Sequence, residues 1–405
     1  MPGMSDVTAS ISERAVLPVA LLAAAGFLSS AGARVIDPLL HIIAGDFHTT
    51  VPAVSVVIAA FTLPYGLCQL VLGPVADRVG KLRVMLAALV LYAFATAACA
   101  MASNLAELTL LRAFAGGASA GLIPSAMAYI GDAVPYDQRQ VTLSRFMTGT
   151  VMATIVAGPI GGIFGEYIGW RGVFLLLSGA ALLLAFTLAF RLPSLGERRR
   201  KLAFNAQHYV SMASKRTSRQ VLLGTLFDGV VLVGCFPFLA PFLHLHFGLS
   251  YAGVGLILAC FGVGSLAFTR VARQMVARLG ESGMVLTGAA LMAAGLVIGV
   301  ATPDWRLFPL VEFMLGFGFL TLHTVLQSRS TELLPDARGT AVSGFAFMLF
   351  LGQSIGALGM GLAIAEMGYR NAFMIQSGLI VVLGLWLHGV MRRMAILGFP
   401  EPGRA

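Results

Sequence analysis

Twelve apolar runs of about the length needed to cross a bilayer, separated by short polar turns, constrain this chain more than any other feature. They fall at 16–40, 51–74, 82–102, 106–130, 143–166, 170–190, 220–244, 251–271, 283–302, 306–328, 339–364 and 370–391. A helix spanning the hydrocarbon core needs about 20 mostly apolar residues. Strands of a membrane barrel would alternate in polarity, whereas these runs are continuously apolar, so helices are expected. Composition agrees: 58% of the 405 residues are hydrophobic and 11% charged, against about 25% charged in a soluble domain. Mean hydropathy is +0.87, and no soluble interior hides that much apolar surface. The expectation is an all-α membrane protein with 12 transmembrane helices. The first run begins near Ala15 with no short apolar core and small-residue cleavage site, so it reads as a retained helix and not a signal peptide. Cys68, Cys99, Cys235 and Cys260 all lie inside apolar runs, which suits small packing residues and neither disulfides nor a metal site.

Basic residues set the orientation. With both termini inside, Arg171, Arg306 and Arg370 are the basic residues of the outer loops, Arg34 and Arg112 sit within spans, and all other lysines and arginines lie on the inner side. That is a strong positive-inside bias, predicting an inner (cytoplasmic) membrane protein with cytoplasmic termini. The net charge of +9 follows this placement, which speaks for a lipid surface and against nucleic acid. The longest polar stretch carries Arg198-Arg199-Arg200-Lys201 and divides the chain into 1–191, a basic linker 192–219, and 220–405.

An offset of about 200 residues brings the two parts into register. Gly169-Trp170-Arg171 meets Gly368-Tyr369-Arg370, Val134-Pro135 meets Leu334-Pro335, Gly116 meets Gly316, and Arg78-Val79-Gly80 meets Arg278-Leu279-Gly280. A shared offset points to a duplicated six-helix unit, an architecture that places a substrate site near midplane between two bundles.

The loop after the second span reads Gly73-Pro74-Val75-Ala76-Asp77-Arg78-Val79-Gly80-Lys81-Leu82-Arg83. Its glycines allow a tight turn, and Asp77 among basic residues can pair with a cation or a helix terminus, latching one bundle to the other. An ordinary charged turn is the plainer alternative. This loop resembles the signature of the major facilitator superfamily, Gly-x-Leu-Ala-Asp-Arg-x-Gly-Arg-Lys, at Gly73, Ala76, Asp77, Arg78, Gly80 and Lys81, departing at Val75 and Leu82. In the second half Ala277 replaces Asp77 and Glu281 replaces Lys81. The fourth span resembles a second family signature at Leu108, Arg112 and Gly116, with Ala115 where glutamine is common. The fifth resembles Gly-Pro-x-x-Gly-Gly of the 12-helix drug/proton antiporter branch through Gly158, Pro159, Gly161 and Gly162, one residue tighter. The resemblance implies two six-helix bundles and transport by alternating access, with no cofactor. Glycine and proline in that fifth span also permit close helix packing and a kink.

Ionisable groups inside spans are costly and usually face the protein interior. Asp37 and Arg34 are three apart and share a helix face; Arg112 lies at similar depth, so an Asp37–Arg112 contact is geometrically reasonable, unless Pro38 ends the helix and leaves Asp37 at the cavity mouth. Asp228 is the acid of the seventh span, suited to proton or cation binding or to a structural hydrogen bond. Glu312, Gly316, His323 and Gln327 form a polar stripe that lines a wet cavity or bonds to neighbouring helices. His323 alone reads as a core histidine, and His244 and His246, two apart, make a poor chelate. Phe61, Tyr65 and Gln69 offer an aromatic–polar face for substrate or for packing.

No Ser/His/Asp arrangement, metal cluster or G-x-x-x-x-G-K-[ST] loop occurs, so neither an enzyme nor an ATPase is expected. The leading expectation is proton-coupled export of a small lipophilic or amphiphilic compound. Asp37, Arg112, Asp228 and Glu312 are the coupling candidates, and Arg34, Phe61, Tyr65, Gln69, His323 and Gln327 the cavity candidates. Uptake or facilitated diffusion of a polar metabolite such as a sugar or organic acid, with Arg34 and Arg112 holding a carboxylate, is the alternative; a membrane sensor is the third. The partners expected are protons, the substrate and the lipid bilayer, with the chain acting as a monomer.

Overall fold

A computed structural model describes residues 17–191, 206–334 and 338–396, with side chains except at Pro74, Asp77, Tyr136, Asp137, Ala206 and Arg338. The described residues are helical almost throughout. Among them, nine segments are long and apolar enough to cross a bilayer: α1 (Val19–Asp46), α2 (Val51–Gly73), α3 (Lys81–Met101), α4 (Leu105–Ala133), α5 (Gln138–Arg191), α6 (Arg216–Phe247), α7 (Tyr251–Ala301), α8 (Trp305–Ser330) and α9 (Gly339–Ile396).

Three of these exceed any membrane thickness, and each is broken once by a glycine with positive φ: α5 at Gly169 (71°), α7 at Gly280 (62°) and α9 at Gly368 (78°). A side chain with a Cβ rarely adopts that backbone, so the turn-back requires glycine. Gly80 (115°) separates α2, whose helix continues to Val79, from α3 in the same manner. Gly80 and Gly280 lie at one end of the molecule, here called the linker end; Gly169, Gly368 and the turns at 47–50 and 248–250 lie at the distal end.

Packing repeats between the two parts of the chain. Gly116 on α4 sits against the main chain of Phe61 on α2, where a Cβ would come 2.7 Å from the carbonyl carbon. Gly316 on α8 sits against Phe261 on α7 at the same 2.7 Å. Small residues let helices approach this closely in a medium that gives them no hydrophobic reason to associate. The perimeter carries exposed large apolar side chains, among them Phe94, Phe114, Phe186, Leu183, Leu362 and Val382, the surface expected toward acyl chains.

The first and second parts meet along two seams. In one, α2 packs on α9: Gly66 faces Phe350, and Thr62 Oγ1 and Ser354 Oγ are 2.7 Å apart. In the other, α5 packs on α7: a Cβ at Gly158 would lie 3.1 Å from the Gly255 carbonyl, and Gly162 rests on Tyr251. Residues 192–205 of the basic linker, with Arg198–Lys201, lie outside the described residues; a short helix, Ala206–Ser214, follows before α6.

Candidate functional site

The site begins with an interruption of α1. Its helix Val19–Arg34 gives way to a 3-10 turn, Asp37–Leu39, before resuming at Leu40–Asp46. Pro38 has no N–H to continue the α-helical ladder, which explains the change. The helix does not end there, and Asp37 is buried (7% exposed). Its carboxylate lies 3.5 Å from Arg34, an i, i+3 pair on one face as the spacing predicts.

Glu312 reaches the same place from α8. Arg34, Asp37 and Glu312 line one cavity of about 30 Å³ together with Phe236, Phe261 and Gly158. That volume holds roughly two waters, at about 10–15 Å³ each. The Arg34 guanidinium lies 5.5 Å from the Phe236 ring and 5.7 Å from Phe261, a cation over aromatic faces. Asp37 Oδ1 and Glu312 Oε1 have no hydrogen-bond partner in the protein. Two carboxylates from different halves of the chain thus share the one guanidinium that lines this cavity. In this medium an arrangement of that kind is stable only while charges balance, so taking up or losing a proton would change what holds the halves together.

The Asp37–Arg112 contact expected from depth does not form as an ion pair. Arg112 Nη1 donates to the Gly32 carbonyl at 3.0 Å, and the guanidinium lies 4.2 Å from the centre of the Phe61 ring. Arg34, on the same helix as Asp37, already occupies the carboxylate. Arg112 is nonetheless buried within electrostatic reach of Asp37, with Nε and Nη2 unbonded in the protein.

The stripe on α8 serves two places instead of one wet face. Glu312 lines the cavity. Gly316 is filled by Phe261 main chain, and its carbonyl accepts from Ser265 Oγ at 3.2 Å. His323, about 16 Å further along the helix at 1.5 Å per residue, bonds through Nδ1 to Asp228 Oδ2 at 2.6 Å. Its ring stacks on Phe319 and contacts Phe345. Gln327 is exposed and belongs to neither group. Asp228 is fully buried at the end of the helix Arg216–Asp228, immediately before a π-helical turn, Gly229–Val233. The Val231 carbonyl in that turn accepts from Gln376 of α9.

Phe61, Tyr65 and Gln69 are all buried between helices. Phe61 lies under Arg112; Tyr65 contacts Phe350 at 4.4 Å, and its hydroxyl is 3.2 Å from Ser29 Oγ. Gly158, Pro159 and Gly162 lie on the α5–α7 seam, where Pro159 precedes a second π-helical turn, Ile160–Phe164.

Among the described residues, no ion pair joins Arg78 or Arg83 of the loop signature, Gly73 has open space around it, and the Asp77 side chain lies outside those residues. Lys81 is buried and paired with Asp132 at the end of α4. In the second half Glu281, at the matching position, is paired with Arg329 of α8 through contacts of 2.7 and 2.6 Å. The replacement of Lys81 by Glu281 is therefore a reversal of sign with the partner reversed as well. Asp132, Arg329 and Phe236 were missed by motif reading; the inverted charge at an offset of 200 was the available signal. The four cysteines are free. Among the described residues, no three histidine, cysteine or acidic side chains gather where they could hold a metal.

A sequence model described as Major Facilitator Superfamily matches residues 22–236 and again 221–395. A chloramphenicol resistance protein of Streptomyces lividans is 24% identical, over 91% of this chain and 94% of its own. A probable sugar efflux transporter of Helicobacter pylori strain J99 is 26% identical, over 86% and 88%. The crystal structure of a D-xylose-proton symporter superposes with a TM-score of 0.77 at 17% identity, over 96% of this chain and 98% of that one, a likeness of fold.

Proposed function

The chain belongs to the major facilitator superfamily of membrane transporters, and we propose that it exports small lipophilic or amphiphilic compounds in exchange for protons. The observation that carries this reading is the meeting of Arg34 and Asp37 from one part of the chain with Glu312 from the other in a single buried cavity. Protonating either acid weakens its hold on Arg34, and substrate entering the gap competes for the same groups. Arg112 holds α1 in place through the Gly32 carbonyl, and the Asp228–His323 pair supplies a further acid in the second half. The resemblance to the drug/proton antiporter branch supports export, and the name of the Streptomyces relative, a chloramphenicol resistance protein, supports a small drug-like cargo.

The architecture proposed with it has twelve spans. The three glycine-broken segments count as two spans each, giving six-helix bundles 1–191 and 220–405 joined by the cytoplasmic linker 192–219. Both termini then face the cytoplasm of a bacterial-type inner membrane, the linker end is inner, and the distal end is outer. The chain works as a monomer, the halves rocking about the cavity, with the Asp77 loop stabilising one state.

Purified protein in liposomes, loaded with a lipophilic dye or drug and given an imposed pH gradient, tests this. Export should follow the gradient in sign and size; export indifferent to it removes proton coupling. The second reading, uptake or facilitated diffusion of a polar metabolite such as a sugar or organic acid, is favoured by the two arginines within the spans, Arg34 and Arg112; the Helicobacter relative's name supports a sugar as cargo but names efflux. Accumulation of labelled metabolite without drug transport would select it. Nothing among the similarities supports a sensor.

A further inference from the structure

Histidines that no motif claims meet at the distal mouth of the gap. His41, on the resumed helix of α1, has its ring centroid 4.9 Å from that of His244 on α6. Tyr251, the first residue of α7, stacks on His244 at 4.3 Å and stands 6.5 Å from His41. One imidazole from the first half thus closes on an imidazole and a phenol from the second. His244 Nδ1 is held 2.7 Å from the Leu249 carbonyl, whereas the buried Nδ1 of His41 has no partner in the protein. The same end is drawn together by α5, whose Gly162 rests on Tyr251 and whose neighbouring Glu166 accepts the Ala252 N–H at 2.9 Å.

The charged groups around the pair are already engaged. On α1, Asp37 is held by Arg34, and Asp46 by Arg171 and Trp170 of α5. On α5, Glu166 bonds the α7 main chain, and Arg171 pairs with Asp46. On α6, His246 turns away and stacks on Phe242. On α7, Tyr251 is the only titratable group contributed to the stack. Glu166 keeps an uncompensated charge, because its partner is a neutral main-chain N–H, and one carboxylate balances at most one of two imidazolium ions. Neutral rings pack favourably here; two cations at this separation repel. A shared metal is not favoured, because two imidazoles lack a third donor among the described residues.

We propose that His41 and His244 form an acid-released latch that closes the distal end between the halves while both are neutral and lets it part when that side is acidified. The latch rests on the transport reading only for its consequence: in a proton exchanger, acid outside would favour the state open to the outside.

Spin labels on G45C and L245C, in a chain whose four cysteines are replaced, report the distal separation in nanodiscs without substrate or gradient. Between pH 8 and pH 5 the separated population should rise about tenfold, equivalent to about 1.4 kcal/mol. H41Q and H244Q should each abolish the change, since a single imidazolium has no like charge to repel. An unchanged distance distribution in the labelled parent, or a shift that persists in either variant, overturns the latch. Neither readout depends on transport, so failure of the export reading would leave this result standing.

Discussion

Asp228 and His323 lie 95 residues apart in sequence, yet their side chains are 2.6 Å apart in the interior, joining α6 to α8. The pair spans the second half where the π-helical turn after Asp228 weakens the regular ladder of α6. Breaking a buried hydrogen-bonded pair on one side leaves an unsatisfied polar group, at a cost of about 1–3 kcal/mol. His323→Leu should therefore lower the midpoint of thermal unfolding in detergent much more than Asp228→Asn, which keeps a hydrogen-bonding group of the same shape. A His323→Leu midpoint equal to that of the unchanged chain would mean that the contact contributes nothing to stability.

Glu312 tests coupling more directly. Glu312→Gln preserves volume and hydrogen bonding but cannot release a proton. Proton-driven export should fall at least tenfold, about 1.4 kcal/mol of lost coupling, while exchange of substrate across liposomes without a gradient should change little. Loss of both activities together would instead assign Glu312 to substrate binding.

The sign-reversed pairs at the linker end should differ in strength. Glu281 and Arg329 are both buried, whereas Asp132 beside Lys81 is about one-third exposed (31%). Double-mutant cycles to alanine, read from unfolding midpoints, should give a coupling near 3 kcal/mol for Glu281–Arg329 and nearer 1 kcal/mol for Lys81–Asp132, because solvent screens the latter. The reverse order would contradict the burial argument.

Gly116→Ala and Gly316→Ala should each destabilise by about 1–3 kcal/mol, since the added methyl meets the main chain of Phe61 or Phe261 and neither can yield without moving a helix. Gly378→Ala on α9, with nothing within 4 Å, should be neutral or slightly stabilising. Folded yield and unfolding midpoint measured on the three variants provide the check.

Much of the fold was legible because the bilayer simplifies the code. Continuous apolarity marks the helices, and Gly169, Gly280 and Gly368 stand in the repeat at the points where the backbone turns back. The i, i+3 spacing placed Arg34 and Asp37 together because a helix converts sequence distance into a face. Contacts between helices obey no such rule. Depth arithmetic could put Asp37 and Arg112 at one level but could not tell that Arg34 would take the carboxylate and the Gly32 carbonyl the guanidinium. Likewise Glu312 and His323 share a face, yet their separation along the axis sends them to different partners. His41 and His244 carried no motif, and only the convergence of α1, α6 and α7 unites them.

The seams between the two halves have a mechanical consequence. Where α5 meets α7, Gly158 abuts Gly255, and where α2 meets α9, Gly66 lies flat against Phe350. Glycines at these points let main chain approach main chain, so sliding one half over the other there displaces fewer bulky side chains than an interface of large residues would. With space for only a couple of waters around Arg34, the proposed transport cycle requires the halves to part before a bulky cargo can enter the cavity.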